Sequence, residues 1–524
     1  MVASASHRFP GHCPSTTGRA LARLCGPVLP LLLAVGCAGL PPDDGPPAVT
    51  SLSPAPGDGT VSVHAPIEAT FSEAIAAGTI NDSSIVVSGS GSLLLPKTLQ
   101  LSGDGTRLAI VLDSTPVAPD TITVTLSDSI TDLAGNPLTL PADDWIFALP
   151  IWVPVGGALS ANDGATDTDN PALAVDGSGN PVVAWQERAD EPPWDIHVRR
   201  WEEGSWRPVG SEPLSANDGT TDARGPSLVL DSSGDPVVAW HEQAETSYYN
   251  VYVHRWTGSG WSAVGDALSV NAGATDASNA SLALDGSDNP VVAWLEHDGA
   301  TRNVYVRRWD GDSWAPVGTG LLSRNPDATS AGSPSLALDG SGYPVVAWHE
   351  QDGTTTNVYV ERWNGSDWST VGGTLSATGG STNAVFPSLA LDSSGLPTVA
   401  WHEQKAGGTT INIFVWRWDG SAWQPLGNGL TANGAHALDP SLVIDGSGRP
   451  SVSWTESNGT NRDVHVGQWD GGEWTLMGGS LSAIEGDTDA DAQSLSVAQP
   501  GIRTVAWGEY DGIARSIHVR RENR

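Results

Sequence analysis

Seven glutamates recur in this chain two residues after a tryptophan: Glu187, Glu242, Glu296, Glu350, Glu403, Glu456 and Glu509. Carboxylates can act as general acids, general bases or cation ligands, but one substrate meets one set of groups, and seven equivalent acids offer it no unique one. Their regularity predicts buried structural carboxylates, satisfied by hydrogen bonds or by the arginine that precedes a tryptophan in five units, as at Arg255 and Arg362. In six units an Asn or Asp stands opposite on the next strand (Asp195, Asn250, Asn303, Asn357, Asn412, Asp463), and Ser516 departs. Catalysis on such a frame needs residues that break the repeat. His241, His349 and His402 do so, but imidazoles on separate units at a strand position are not expected to converge on one metal. No G-x-S-x-G, H-E-x-x-H or phosphate-loop pattern occurs. Asp163, Asp167, Asp169, Asp218, Asp222, Asp487, Asp489 and Asp491 crowd the loops and offer oxygen ligands that Ca²⁺ could take, without complete EF-hand spacing. The aromatics outside the repeat on these loops are Trp194, after Pro192-Pro193, and Tyr248-Tyr249. These three are the candidate ligand-binding residues, able to stack on a sugar or a peptide.

The elements that must position these groups come from an internal repeat. Trp185, Trp240, Trp294, Trp348, Trp401, Trp454 and Trp507 each end a run of the form PVVAW, at intervals of 53–55 residues. Each unit carries four β signals: a PSLALD run, a D-G-S-G-x-P turn leading into VVAWHE, an NVYVERW run, and a W-x-x-V-G segment. The turn aspartates (Asp176, Asp231, Asp285, Asp339, Asp392, Asp445) are expected to cap their own turns. Four short strands repeated seven times predict a seven-bladed β-propeller over residues 151–524. The last unit stops at its third strand, and a lone W-x-x-V-G segment at residues 152–156 precedes the first unit. A ring that borrows its first strand to finish its last blade accounts for both ends, whereas an open solenoid would need capping units. Twenty of the 23 Trp fall on three repeated positions, which makes them packing residues between neighbouring sheets, each favourable by roughly 1.5–3 kcal/mol.

Residues 48–149 give short β-rich runs separated by turn signals, about the content of an antiparallel sandwich. Pro54-x-Pro56-x-x-Gly59, Phe71-Ser72-Glu73, Asp104-Gly105-Thr106, Asp132-x-Ala134-Gly135-Asn136-Pro137 and Trp145-x-Phe147 resemble the bacterial Ig-like domain of S-layer and other surface proteins. Ile122 departs from that pattern, where Tyr is common. The resemblance implies a spacer or stalk, and the Asp132 and Asn136 turn needs no chemistry beyond its geometry. The whole chain is thus expected to be all-β, an Ig-like sandwich followed by the propeller.

Composition and the N-terminus bear on location. The formal charge is −35, with Lys+Arg 25 against Asp+Glu 60, which argues against a nucleic-acid partner and against an anionic membrane surface. Residues 1–36 combine Arg8, Arg19 and Arg23 with a short apolar stretch and read as an export signal, too short for a permanent membrane span. Leu33-Ala34-Val35-Gly36-Cys37 resembles the lipobox of bacterial lipoproteins, which implies lipidation at Cys37 and a proline-rich tether over 37–47. Cys13, Cys25 and Cys37 are the only cysteines, so a chain cut before Cys37 keeps one thiol and forms no internal disulfide. The expected protein is monomeric, held on the cell envelope by its lipid, and presents a propeller for binding or adhesion to a glycan or an envelope protein. The alternatives are a secreted propeller hydrolase or lyase and a purely structural envelope component. Replacing Cys37 by Ser should move the protein from the membrane pellet to the soluble fraction, and a C37S chain that still sediments with membrane rules lipidation out.

Overall fold

The computed structural model describes residues 45–524, apart from 162–165, 189–192, 211–212, 218–219, 245–246, 272–273, 298, 327, 458–459, 485–487, 499–500 and 511. Cys37 and most of the expected tether lie outside the described residues. Among the described residues the fold is all-β, with two short 3-10 turns and no helix long and apolar enough to cross a membrane.

The N-terminal part is a sandwich of one four-stranded and one three-stranded antiparallel sheet between Val49 and Leu149. Inward-facing residues alternate along its strands, as in Ile67–Phe71, and a core around Phe71, Ile85, Leu108, Ile122 and Trp145 fills the space between. The Asp132 carboxylate accepts from the backbone N–H of Asn136 at 2.8 Å and from its side-chain amide at 2.7 Å, so this turn closes on itself as expected.

The remainder forms seven four-stranded antiparallel sheets. Blade 4 is typical, with strands Ala331–Leu338, Pro344–Asp352, Thr355–Trp363 and Trp368–Thr370. The second strand of blades 1 to 4 opens with the apolar run PVVAW because it is covered on both faces, and the tryptophan of this strand is fully buried in all seven blades. Each of these indoles enters the preceding blade: Trp240 packs on Val182, Ala184 and Ile196 of blade 1, and Trp185 packs on Ala506, Ile517 and Val519 of blade 7. Blade 7 takes Trp152–Pro154 as its fourth strand, paired antiparallel to Arg515–Glu522. The ring is therefore closed by the strand that precedes the first repeat, which completes blade 7 as a four-stranded sheet like the others.

Indole donors stitch the rim. The fourth-strand tryptophan of each blade donates its N–H to a backbone carbonyl at the same point of the blade before it: Trp206 to Val155, Trp261 to Val209, and so on to Trp152 and Met477 at 2.6 Å. The glycine of W-x-x-V-G sits at positive φ, and at Gly156 a Cβ would run into the ring of Trp201 on the next blade. The arginine before the third-strand tryptophan is not the partner of the repeated glutamate, so of the two expected alternatives it is hydrogen bonds that satisfy the carboxylate. Arg255, Arg308 and Arg362 instead donate to backbone carbonyls in the turn between the first two strands of the next blade, at Asp288, Gly342 and Gly395. They reach that turn because they lie at the far end of the third strand from the glutamate. The turn aspartates behave as expected, Asp339 accepting from Ser341 N–H and Tyr343 N–H at 2.9 and 3.0 Å.

Blade 7 departs from the repeat at two positions that compensate each other. Arg503 replaces the proline that opens the second strand elsewhere, and Glu522 replaces the third-strand tryptophan. Their side chains meet at 3.0 Å, with Arg503 wholly buried and also bonded to Ser451, Gly501 and Asp445. The next residue, Asn523, joins the two domains: its side-chain oxygen accepts from Val63 N–H at 2.8 Å and its amide donates to Val61 O and Pro150 O. Removing one partner of a buried ion pair strands the other charge. Glu522→Leu should therefore lower the unfolding free energy by about 3 kcal/mol in a urea titration, while R503L/E522L recovers most of it. Equal losses in the single and double variants would show that the pair is not what holds this corner.

Candidate functional site

The seven first strands touch one another in cyclic order, so they surround the axis. The loops that enter the first strands and those that join second to third strands share one end of the ring, and the repeated glutamates sit just beneath that face. Each glutamate accepts the indole N–H of the tryptophan two residues earlier at 2.8–3.0 Å. The loop entering the same blade supplies the remaining donors: Glu187 takes Ser160 Oγ at 2.8 Å, Ala161 N–H at 2.7 Å and the Thr166 hydroxyl. Burial alone would raise the Glu187 and Glu509 carboxyls, but these donors outweigh it and hold both below the usual range. The glutamates are loop anchors, as their regularity predicts.

The loop acids are also largely committed. Asp222 accepts Trp194 N–H, Asp276 accepts Tyr249 N–H and Asp489 accepts Arg462 N–H, each at 2.9 Å, so an acid leading into one blade caps the third strand of the blade before. Several pair with arginine too: Asp167 with Arg188 at 3.6 Å, Asp222 with Arg224 at 3.0 Å, and Asp491 with Arg515 at 2.9 Å. Asp163, Asp218 and Asp487 lie outside the described residues. Among the described residues no group of three or more His, Cys, Asp or Glu is arranged to hold a metal ion.

The aromatics outside the repeat sort into three environments. Trp194 is half-buried beneath two guanidiniums, Arg188 and Arg224, each 5.2 Å from its ring centre. It orders these cations by cation–π attraction and shows its edge to a cavity of about 330 Å³ lined by Asp167, Thr168, Asp169, Tyr510 and Arg515. Tyr249 stands edge-on to His241 at 5.5 Å, and the His241 imidazole is held down at about 4 by burial and by the nearby Arg224 charge. Arg224 thus links Trp194, His241 and Tyr249 into one cluster across blades 1 and 2. Tyr248 is 38% exposed beside it.

Sequence reasoning missed two features of this face. Arg515 pairs with both Asp491 at 2.9 Å and Asp169 at 3.4 Å, joining blades 7 and 1 at the cavity. Burial pushes the Asp491 carboxyl up, Arg515 opposes this and Asp169 adds to it. The second is Phe386, 47% exposed, stacked on His402 at 5.2 Å and tilted against His349 at 5.6 Å. Phe386 was findable as the one bulky residue in a column of Asn, Gly, Ser, Asp and Ala, whereas Arg515 stands in a column that varies from blade to blade and gave no signal.

Residues 43–148 match the family described as bacterial Ig-like domain. No protein of curated function matches the sequence. Similar solved structures include an ulvan lyase from a new family of polysaccharide lyases, 13% identical at a TM-score of 0.48, with 68% of this chain and 94% of that one covered. A puromycin-hydrolyzing peptidase of Mycobacterium tuberculosis is 16% identical at 0.46, covering 71% and 55%. An alpha-L-arabinanase of Penicillium chrysogenum is 14% identical at 0.39, covering 58% and 92%.

His349 and His402 are both held at about 4 by burial, well under the ordinary value of 6.5. A histidine that is harder to protonate in the fold than in the unfolded chain draws protons toward the unfolded state. Stability is therefore full above pH 6.5 and falls as the pH drops toward 4, and H349Q/H402Q should flatten that slope in thermal unfolding followed across the same interval. An unchanged slope would mean these imidazoles are accessible to protons in the fold.

Proposed function

We propose that this chain is a bacterial cell-envelope protein whose propeller binds glycan on the face carrying the loops into the first strands, with the Ig-like domain as spacer and Cys37 as lipid anchor. The observation that carries the reading is the concentration of symmetry-breaking aromatic, arginine and histidine side chains on that one face: Trp194 with Arg188 and Arg224, Tyr249 with His241, and Tyr510 with Arg515. Aromatic rings supply apolar contact, and guanidinium forks supply donors for hydroxyl or carboxylate oxygens. The domain arrangement supports it as well. Asn523 and Pro150 join the Ig-like domain to the propeller at the end of the third strand of blade 7, the end away from the glutamates, so the spacer leaves the proposed face clear. The match of residues 43–148 to a bacterial Ig-like domain supports a bacterial surface location.

A polysaccharide hydrolase or lyase is the second reading, and one observation favours it. Asp169 and Asp491 break the repeat and approach the same guanidinium, with Asp169 lining the cavity, and carboxylates of this kind could serve acid–base chemistry. Full-length C37S protein screened on a glycan array, with product analysis on every glycan retained, separates the readings. Binding without turnover that falls tenfold or more in W194A is the expected result. Turnover abolished by D491N would establish the enzyme, and a silent array would leave a protein partner or a structural role.

A further inference from the structure

Each first strand carries a β-bulge near its start, and the bulged residue is left-handed in all seven blades: Asn170, Gly225, Asn279, Ser333, Phe386, Asp439 and Ala492 have φ between 46° and 59°. Ser and Ala carry only small side chains into this conformation, and Asn, Gly and Asp adopt it readily. A phenylalanine does not, and blade 5 nevertheless places Phe386 there at φ 54°. Its ring is not hidden in a core that would repay the strain. It is nearly half exposed, on the innermost strand, stacked on His402 at 5.2 Å with the rings 27° apart and flanked by His349.

The surroundings fix the chemistry of this row. Phe386 N–H donates to His349 Nδ1 at 3.2 Å, and Asp439 N–H donates to His402 Nδ1 at 3.1 Å. Because Nδ1 accepts in both rings, a neutral imidazole carries its proton on Nε2 and presents a donor there. The Asp439 carboxylate lies 3.7 Å from His402 Nδ1 and adds an acceptor. An apolar ring, uncharged donors and a carboxylate acceptor suit a ligand with a flat C–H face edged by hydroxyls, and disfavour one that is itself an anion.

We infer that Phe386, with His349, His402 and Asp439, is a stacking subsite for a neutral sugar ring at the mouth of the channel, across blades 4 to 6 and separate from the Trp194 cluster. The inference rests on the reading of this face as glycan-binding and names a subsite and a ligand class within it.

The test uses full-length C37S protein and an array of neutral and uronic-acid oligosaccharides, with hits titrated by calorimetry. Wild type should prefer neutral oligosaccharides, F386G should weaken them roughly tenfold, the scale of one aromatic stacking contact, and F386Y should retain them. F386G should also unfold at a higher temperature than wild type, because glycine relieves the left-handed strain, which separates lost binding from lost folding. Neutral oligosaccharides that bind F386G as tightly as wild type would overturn the subsite while leaving the glycan reading intact. An array silent for wild type would overturn both.

Discussion

A carboxylate buried beside an indole is the constraint on which the propeller depends. A charge between packed sheets is tolerated only when its oxygens are filled by donors, and each repeated glutamate is filled by the tryptophan two residues before it and by the loop that enters its own blade. The same tryptophan is the main wedge between neighbouring sheets. One Trp-x-Glu unit thus couples inter-blade packing to the conformation of a surface loop, seven times around the ring. Loops that would otherwise sample many conformations are tied at their base, and variable residues can be carried on them without loosening the core.

Closure adds a second constraint, and blade 7 shows how it is met. A ring built from two ends of the chain must hold those ends against thermal opening. The indole donor chain runs unbroken through Trp152 and Val155, where the two ends meet. Arg503 and Glu522 then replace a proline and a tryptophan with a buried ion pair at the terminus, and Asn523 extends the hold to the Ig-like domain. The exchange turns the last residues of the chain into a joint between ring and spacer.

One asymmetric ligand can be oriented only where the repeat is broken. Seven equal blades can make a platform but cannot orient one asymmetric ligand, so the informative side chains are those that differ between blades on one face. Here they fall into two groups around the axis, an arginine and aromatic group on blades 7, 1 and 2, and a histidine and phenylalanine group on blades 4 to 6. Trp194 lies under two guanidiniums. Phe386 is nearly half exposed, at a position whose backbone penalises it.

The sequence by itself determined the architecture, because repetition makes each structural requirement visible seven times. The spacing of PVVAW, the missing final strand and the lone Trp152 segment defined the blades and their closure, and the invariant glutamate announced a buried, satisfied carboxylate. It did not determine what satisfied that carboxylate. Arginine and loop donors are equally compatible with the pattern, and only the tertiary structure sends Arg255 to the next blade's turn and Ser215 to Glu242. Nor did it reveal the pairs Arg503 with Glu522 or Arg515 with Asp169, whose members are separated by 19 and 346 residues along the chain. Contacts within a unit repeat and can be read by comparison. Contacts that cross the closure, or that occur once, have no second copy in the sequence, and only the folded ring brings them together.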